Sequence, residues 1–230
     1  MRTLGAVLVF LAASTALADT EYERAIQTLP LGTIGGGCPG VGLPTAEQEA
    51  LRDRYYSTFG WPILTETVVD RVASFIGDRG AVDFGAGSGY FSYLLNERGI
   101  DVFAIDDRSW GTPPKVWHPV KMGGHGLLAG TSNRVLILSW PPRKTGMATL
   151  ALAAWGGSRL VYAGEILRGA GEPTFFRELA ENWHLAGRVS VPQWHNRSDA
   201  IFFFERRNGA GDGSAWLKGE MLNCLGSDDR

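Results

Sequence analysis

Asp83, Gly85, Gly87, Gly89 and Asp106 are the residues whose types and spacing most plainly suggest chemistry. Asp83 lies in the apolar run Ala81-Val82-Asp83-Phe84, which reads as a short buried strand. Gly85-Ala86-Gly87-Ser88-Gly89 follows as a G-x-G-x-G turn opening a helix. Glycines let a backbone turn tightly and approach a ligand closely, and a helix start supplies free N–H groups. The dinucleotide fingerprint G-x-G-x-x-G needs a small third residue for helix–strand packing under a pyrophosphate. Tyr90 stands at that place, and a carboxylate just before the glycines would repel a pyrophosphate. The same carboxylate suits a cationic group. Asp106 ends the next predicted strand, about 20 residues on, where a βαβ unit presents an acid to the hydroxyls of a ribose. Asp107 is its neighbour, but Asp106 follows the apolar run directly. Together these residues describe a ligand with a nucleoside at one end, a cation at the other and no phosphate. As an acid at an accessible cleft, Asp106 is expected to matter for binding and little for stability. Two blander readings stand beside this one. The glycines could form a plain tight turn with Asp83 capping the helix, or the loop could hold a nicotinamide or flavin.

The elements that must position these residues follow from periodicity. Leu51, Tyr55 and Phe59 mark one face of a helix over 47–59, and Val68, Val69, Val72, Phe75 and Ile76 that of a second over 66–76. Strands are predicted at 81–84, 101–106, 116–122 (the weakest), 135–140, 159–163, 187–192 and 200–205. Helices are predicted at 90–98, at 147–155 and from Pro173 to about Trp183. Alternation of this kind makes an α/β fold, a mostly parallel sheet with helices on both faces. The two successive strands at the end make an antiparallel hairpin on one edge. Residues 1–18 are a candidate signal peptide or N-terminal apolar segment, and 19–46 are expected to be irregular. The domain is 47–207, and 208–230 form a linker and short tail around Trp216.

Over roughly residues 45–207 the chain resembles the S-adenosylmethionine-dependent methyltransferases with a Rossmann-like fold. Val82-Asp83-Phe84-Gly85-Ala86-Gly87-Ser88-Gly89 looks like that family's first motif and Ala104-Ile105-Asp106 like its second. Leu138-Ser139-Trp140-Pro141-Pro142, Tyr162-Ala163-Gly164-Glu165, Trp61-Pro62-Ile63 and Val191-Pro192-Gln193-Trp194 are similar to a little-characterised methyltransferase-like subgroup. The resemblance implies a Rossmann-like seven-stranded sheet with an antiparallel last strand and S-adenosylmethionine as cofactor. It also implies a cofactor site at Asp83, Gly85, Ala86, Gly87, Gly89 and Asp106. Methyl transfer is an in-line displacement at a sulfonium-bound carbon, so positioning can supply much of the acceleration.

The acceptor side is less legible. Amine-methylating relatives hold a planar amine with an acid or amide, two prolines and an aromatic after the fourth strand. Here Ser139 precedes Trp140-Pro141-Pro142-Arg143, so the polar residue is displaced and the last aromatic is missing. Trp61, Ser139, Trp140 and Glu165 are the candidate pocket residues. Their plain alternatives are a core anchor, a turn hydroxyl, a core indole and a surface carboxylate. His125, in a glycine-rich loop, is the one histidine worth testing as a base. Trp194 and His195 read as a hairpin turn and Phe202-Phe203-Phe204 as a buried strand. The altered fourth motif keeps a second function class open, a non-catalytic binding or interaction protein on the same fold.

Composition bounds these readings. The 230 residues carry 44% hydrophobic and 20% charged side chains. That is enough to bury about 70% of the unfolded surface without a metal or disulfide. The net charge of −2 gives no nucleic-acid footprint for the whole chain, though a local patch is not excluded. The four histidines and two cysteines show no ligand spacing, so no metal is expected. Arg2, the apolar run 4–13 and Ala16-Leu17-Ala18 have the form of a signal peptide cleaved after Ala18, too short to span a bilayer. Against export stands the cofactor, which is made and kept in the cytosol. The expectation is therefore cytoplasmic, with a secreted or periplasmic protein as the alternative. Cys38 and Cys224 would stay reduced in the first compartment and could pair in the second.

Overall fold

The computed structural model describes residues 19–29, 34, 45–208, 215–217 and 219. The candidate signal segment, Cys38 and Cys224 lie outside the described residues. Helices α1 (Glu21–Ile26), α2 (Ala46–Phe59) and α3 (Glu66–Ile76) precede strand β1 (Ala81–Phe84). Then come α4 (Tyr90–Asn96), β2 (Val102–Asp106), β3 (Val120–Met122), a 3-10 turn at His125–Leu128 and β4 (Val135–Ser139). The chain continues through α5 (Met147–Trp155), β5 (Arg159–Gly164), α6 (Pro173–Asn182), β6 (Trp183–Ser190) and β7 (Ala200–Arg206).

The strands form one seven-stranded sheet in the order β3-β2-β1-β4-β5-β7-β6. Pairing is parallel from β3 to β5, and β7 runs antiparallel to both β5 and β6. This is the Rossmann-like mixed sheet with an antiparallel last strand. The order reverses direction on either side of β1. That places the carboxyl ends of β1 and β4 at a switch point, where open α/β sheets leave a crevice for ligands.

Side-chain alternation along each strand divides the core into two layers. On one face Ala81, Val135, Ile137, Val161, Ile201 and Phe203 pack with Tyr22, Val68, Val72, Ile76, Leu94 and Leu95 of α1, α3 and α4. On the other, Val82, Phe84, Leu136, Leu138, Phe202 and Phe204 pack with Ala151, Leu152, Phe175 and Leu179 of α5 and α6. The aromatic triplet at 202–204 is buried, as its pattern implies. Trp216, in the described part of the tail, sets its ring 5.1 Å from that of Phe204.

Three local expectations are corrected. Residues 19–46 are not wholly irregular, because Thr20 and Glu23 form a capping box that starts α1. Tyr22 of that helix is fully buried, and its hydroxyl accepts from Trp194 Nε1 at 3.2 Å. The strand expected at 116–122 is only Val120–Met122, since Pro119 lacks an N–H and Trp117 is turned to donate to Thr58 O. The strand expected to start at Gly187 starts at Trp183, directly after α6. Trp194 lies in the hairpin between β6 and β7, yet it is a core residue packed against Tyr55 and Tyr56.

Candidate functional site

Asp83 is the penultimate residue of β1, with 1% exposure. One carboxylate oxygen accepts from Ser92 Oγ at 2.7 Å, and the other, Oδ1, is buried with no partner. Burial above all, with the nearby Asp106 charge, pushes its pKa up to about 7, against the opposing Ser92 hydrogen bond. A buried orphan oxygen costs free energy unless something donates to it. Sequence reasoning missed Ser92. The signal was a hydroxyl on the inward face of an apolar helix, where Ser92 is fully buried.

The glycines do distinct jobs. Gly85, Gly87 and Gly89 all have positive φ, at 83°, 53° and 75°. Gly89 is the left-handed residue just before α4, and a Cβ there would meet His118 O at 3.1 Å. A Cβ on Gly85 would meet Met147 Cε at 2.4 Å, so the start of α5 closes over that glycine. A Cβ on Gly87 would meet nothing within 4 Å. The middle of the loop thus faces open space.

Asp106 is half-buried, and its carboxylate lies against that loop. Oδ2 accepts from Gly87 N at 2.9 Å and Oδ1 from Arg108 N at 2.7 Å. Arg108 returns a guanidinium hydrogen bond to Gly87 O at 2.6 Å. Asp107 instead is exposed and turned to Ser109, whose side-chain and backbone hydrogen bonds lower its pKa. The expectation that Asp106 matters little to stability is therefore corrected, since it braces two backbone N–H groups. Two of a carboxylate's roughly four lone-pair sites are used here, and two remain.

Tyr90, at the position where a dinucleotide fold needs a small residue, is buried as the first residue of α4. Its hydroxyl accepts from Tyr22 N at 3.1 Å and lies 3.4 Å from Glu21 Oε2. Its bulk anchors α1 against the glycine helix.

The acceptor-side candidates converge at the carboxyl ends of β4 and β5. Ser139 is the last residue of β4, half-buried and paired with Ala163. Trp140 follows in the left-handed region, φ +50°, and is 9% exposed. The half-buried Trp61 stacks on it at 4.6 Å and 13°. Trp140 Nε1 donates to Asp199 Oδ1 at 2.7 Å. Glu165, 1% exposed, is no surface carboxylate. It accepts from Ser198 N at 3.0 Å and lies 4.0 Å from the Arg197 guanidinium, which sits over the Trp140 ring at 5.6 Å. Burial, reinforced by the Glu165 charge, pushes the Asp199 pKa up to about 8. Asp199 was missed in the sequence. The available signal was an acid directly before an apolar strand on the ligand edge. His125 contacts the Met147 carbonyl at 3.1 Å and packs on Phe84, beside the covered Gly85.

Backbone strain gathers on the same edge. Among the described residues, the non-glycine positions with positive φ are Arg108, Trp140, Leu167 and Asn196. They lie in the loops after β2, β4 and β5 and in the β6–β7 hairpin. Strain of this kind persists only where surrounding structure holds it, and it clusters at functional sites. Among the described residues no group of three or more His, Cys, Asp or Glu could hold a metal, and no helix is long and apolar enough to cross a membrane.

No family model matches this chain, and no curated protein matches it. Solved structures do. The magnesium protoporphyrin IX methyltransferase of Synechocystis, with bound SAM, is 15% identical, with TM-score 0.44 and coverage of 73% of this chain and 87% of that one. An rRNA methylase from Streptococcus thermophilus is 15% identical, with TM-score 0.43, over 61% and 94% of the two chains. A protein of the NADB-Rossmann superfamily from Streptococcus agalactiae is 13% identical, with TM-score 0.46, over 69% and 76%. The chain is similar, at low identity, to S-adenosylmethionine-dependent methyltransferases with a Rossmann-like fold, and its own strand order carries the fold assignment.

Proposed function

We propose that this protein is an S-adenosylmethionine-dependent methyltransferase. The observation that carries the reading is the pair of carboxylates flanking one open glycine loop. Asp83 Oδ1 is a buried acceptor without a donor, and Asp106 keeps free lone pairs beside the uncovered Gly87. A cofactor with an ammonium group and a ribose supplies the donors both acids lack. Bound there, S-adenosylmethionine would supply an electrophilic methyl on a sulfonium. The chain's part is to orient it. Asp106 holds the ribose, Asp83 answers the ammonium charge, and Gly87 leaves room for the ligand to lie against the backbone. On the acceptor side, the stacked Trp61 and Trp140 form an apolar wall, and buried Asp199 and Glu165 brace it. No proton acceptor is assigned, because the acceptor atom is open. The reading places the protein in the cytoplasm, where the cofactor is made.

A second reading has its own support. Met147 Cε lies over Gly85, and Trp140 turns its one polar atom inward to Asp199, which suits a binding module without turnover. Calorimetry with S-adenosylmethionine, S-adenosylhomocysteine, NAD and FAD tests the cofactor. The first two should bind and the others should not, and preferential NAD binding would overturn the assignment. A methyl-transfer screen with labelled cofactor then separates enzyme from binding module.

A further inference from the structure

Three loops meet at the acceptor end: 140–146 after β4, 165–172 after β5, and 191–199 between β6 and β7. Their three acids are all buried. Glu165 accepts from Ser198 N, Asp199 from Trp140, and Glu172 from Ala148 N and Thr149 N at the start of α5. Of their basic residues, Arg197 turns inward to Glu165, and the other three lie further out. Arg143 and Lys144 are exposed and Arg168 is half-buried. An Arg143 guanidinium nitrogen donates to the Arg168 carbonyl at 2.7 Å, and Pro142 bridges Ala170, so the two loops are clasped and Arg143, Lys144 and Arg168 spring from one rim. The rim adjoins the aromatic wall. A Cβ built on Gly169, next to Arg168, would lie 2.6 Å from the Trp140 ring.

The opposite edge of the sheet behaves differently. There Arg134 closes on Asp101 at 2.5 Å and Arg159 on Glu205 at 2.8 Å. Among the described residues no carboxylate pairs with Arg143, Lys144 or Arg168. Like charges held together on a rim repel unless an anion joins them. Two guanidinium forks and an ammonium match a doubly charged phosphate better than a single carboxylate.

We infer that the methyl acceptor bears a phosphate group, which docks on Arg143, Lys144 and Arg168 beside Trp140. Calling the ligand the acceptor rests on the proposed function; the phosphate site itself does not. The phosphate could belong to a nucleic-acid backbone or to a small phosphorylated molecule. The test is calorimetry of the full chain against inorganic pyrophosphate, a short single-stranded RNA and citrate. A triple variant, Arg143→Glu, Lys144→Glu and Arg168→Glu, should lose at least about a hundredfold in affinity. Arg71→Glu, on an exposed position of α3, controls for charge alone and should lose nothing. Arg143→Gln provides a milder change with an intermediate loss, should the triple variant fold poorly.

RNA binding with a log–log salt slope near about −2 assigns the site to nucleic-acid phosphate. Pyrophosphate binding as tightly as RNA assigns it to a small phosphorylated acceptor. Citrate binding as well as pyrophosphate overturns the proposal, as does no binding of either phosphate probe or an unchanged triple variant. S-adenosylhomocysteine should bind wild type and triple variant alike. If it binds neither while phosphate still docks, the cofactor reading fails and the phosphate site stands.

Discussion

Replacing Asp106 with alanine separates the two jobs the structure gives this side chain. The carboxylate accepts from Gly87 N and Arg108 N, and the proposed cofactor adds a third contact through its ribose. Hydrogen bonds to charged groups are worth about 1.5–3 kcal/mol each, and neutral ones about 1. Asp106 is half-exposed, so water can replace part of what is lost. Two backbone bonds together then contribute about 1–3 kcal/mol to folding. For a chain of this size that lowers Tm by roughly 3–10 °C. Losing the ribose contact should weaken S-adenosylhomocysteine binding about tenfold to a hundredfold. Asp106→Asn keeps an acceptor for Gly87 N, so it should recover most of the stability and less of the affinity. Asp107→Ala, which removes only an exposed turn contact to Ser109, should change neither. Thermal melts and calorimetry on the four proteins decide the matter. Unchanged Tm and unchanged affinity in Asp106→Ala would refute the reasoning. A drop in Tm with wild-type affinity would leave Asp106 as a brace for the loop alone.

The other expectations follow from buried groups. Asp83 titrates near 7 in the native state against about 3.8 unfolded, so the native state binds the extra proton between them and stability falls as pH rises through that window. Asp83→Asn should flatten this slope, and wild-type affinity for S-adenosylhomocysteine should rise with pH through about 7; affinity independent of pH removes Asp83 from the ammonium role. Asp199 carries the same sign with a native value near 8, so Asp199→Asn, which still accepts from Trp140, should gain roughly 5–11 °C in Tm over wild type at pH 9 relative to pH 6. Tyr22→Ala should cost about 3–5 kcal/mol, because a fully buried ring leaves a cavity; an unchanged Tm would show that α1 is not part of the folded unit. For the cytoplasmic reading, mass spectrometry of the natural protein should show no cleavage after Ala18, and Asp19 as the first residue would overturn it.

Much of this architecture was legible because period and punctuation agree. The apolar run at 81–84, the three glycines and the apolar run ending at Asp106 could be assembled only as strand, turn, helix and strand. What stayed hidden was set by distant partners. Nothing local tells that Ser92 will donate to Asp83, or that Asp199 will receive Trp140 across 59 residues. Tyr22 reads as one aromatic in a polar stretch, and its burial depends on Trp194, 172 residues away. The Thr20–Glu23 capping box was legible, but six residues of helix have no periodicity to announce them. Asp106 was expected at the right place and with too small a structural part, because a carboxylate's neighbours are a matter of loop geometry.

The distribution of acids ties these pieces together. Asp83, Glu165 and Asp199 all stand at carboxyl ends of the sheet or beside them, and all are buried. A sheet edge that only closed the fold would have no physical need for three buried carboxyl groups, two of them pushed towards neutrality by desolvation. Such groups are tolerated where a ligand or a constrained side chain supplies the missing donor. Asp199 has its donor in Trp140 and Glu165 in Ser198, which fixes the indole wall and the hairpin in place. Asp83 alone retains an oxygen with no donor, and it is the one beside the open glycine loop. On the proposed reading, the acids of the acceptor half find their donors within the chain, while the glycine half is left for the cofactor's ammonium group to complete. The unpaired basic rim poses the same demand with the opposite sign, and the two demands lie at one edge of one sheet.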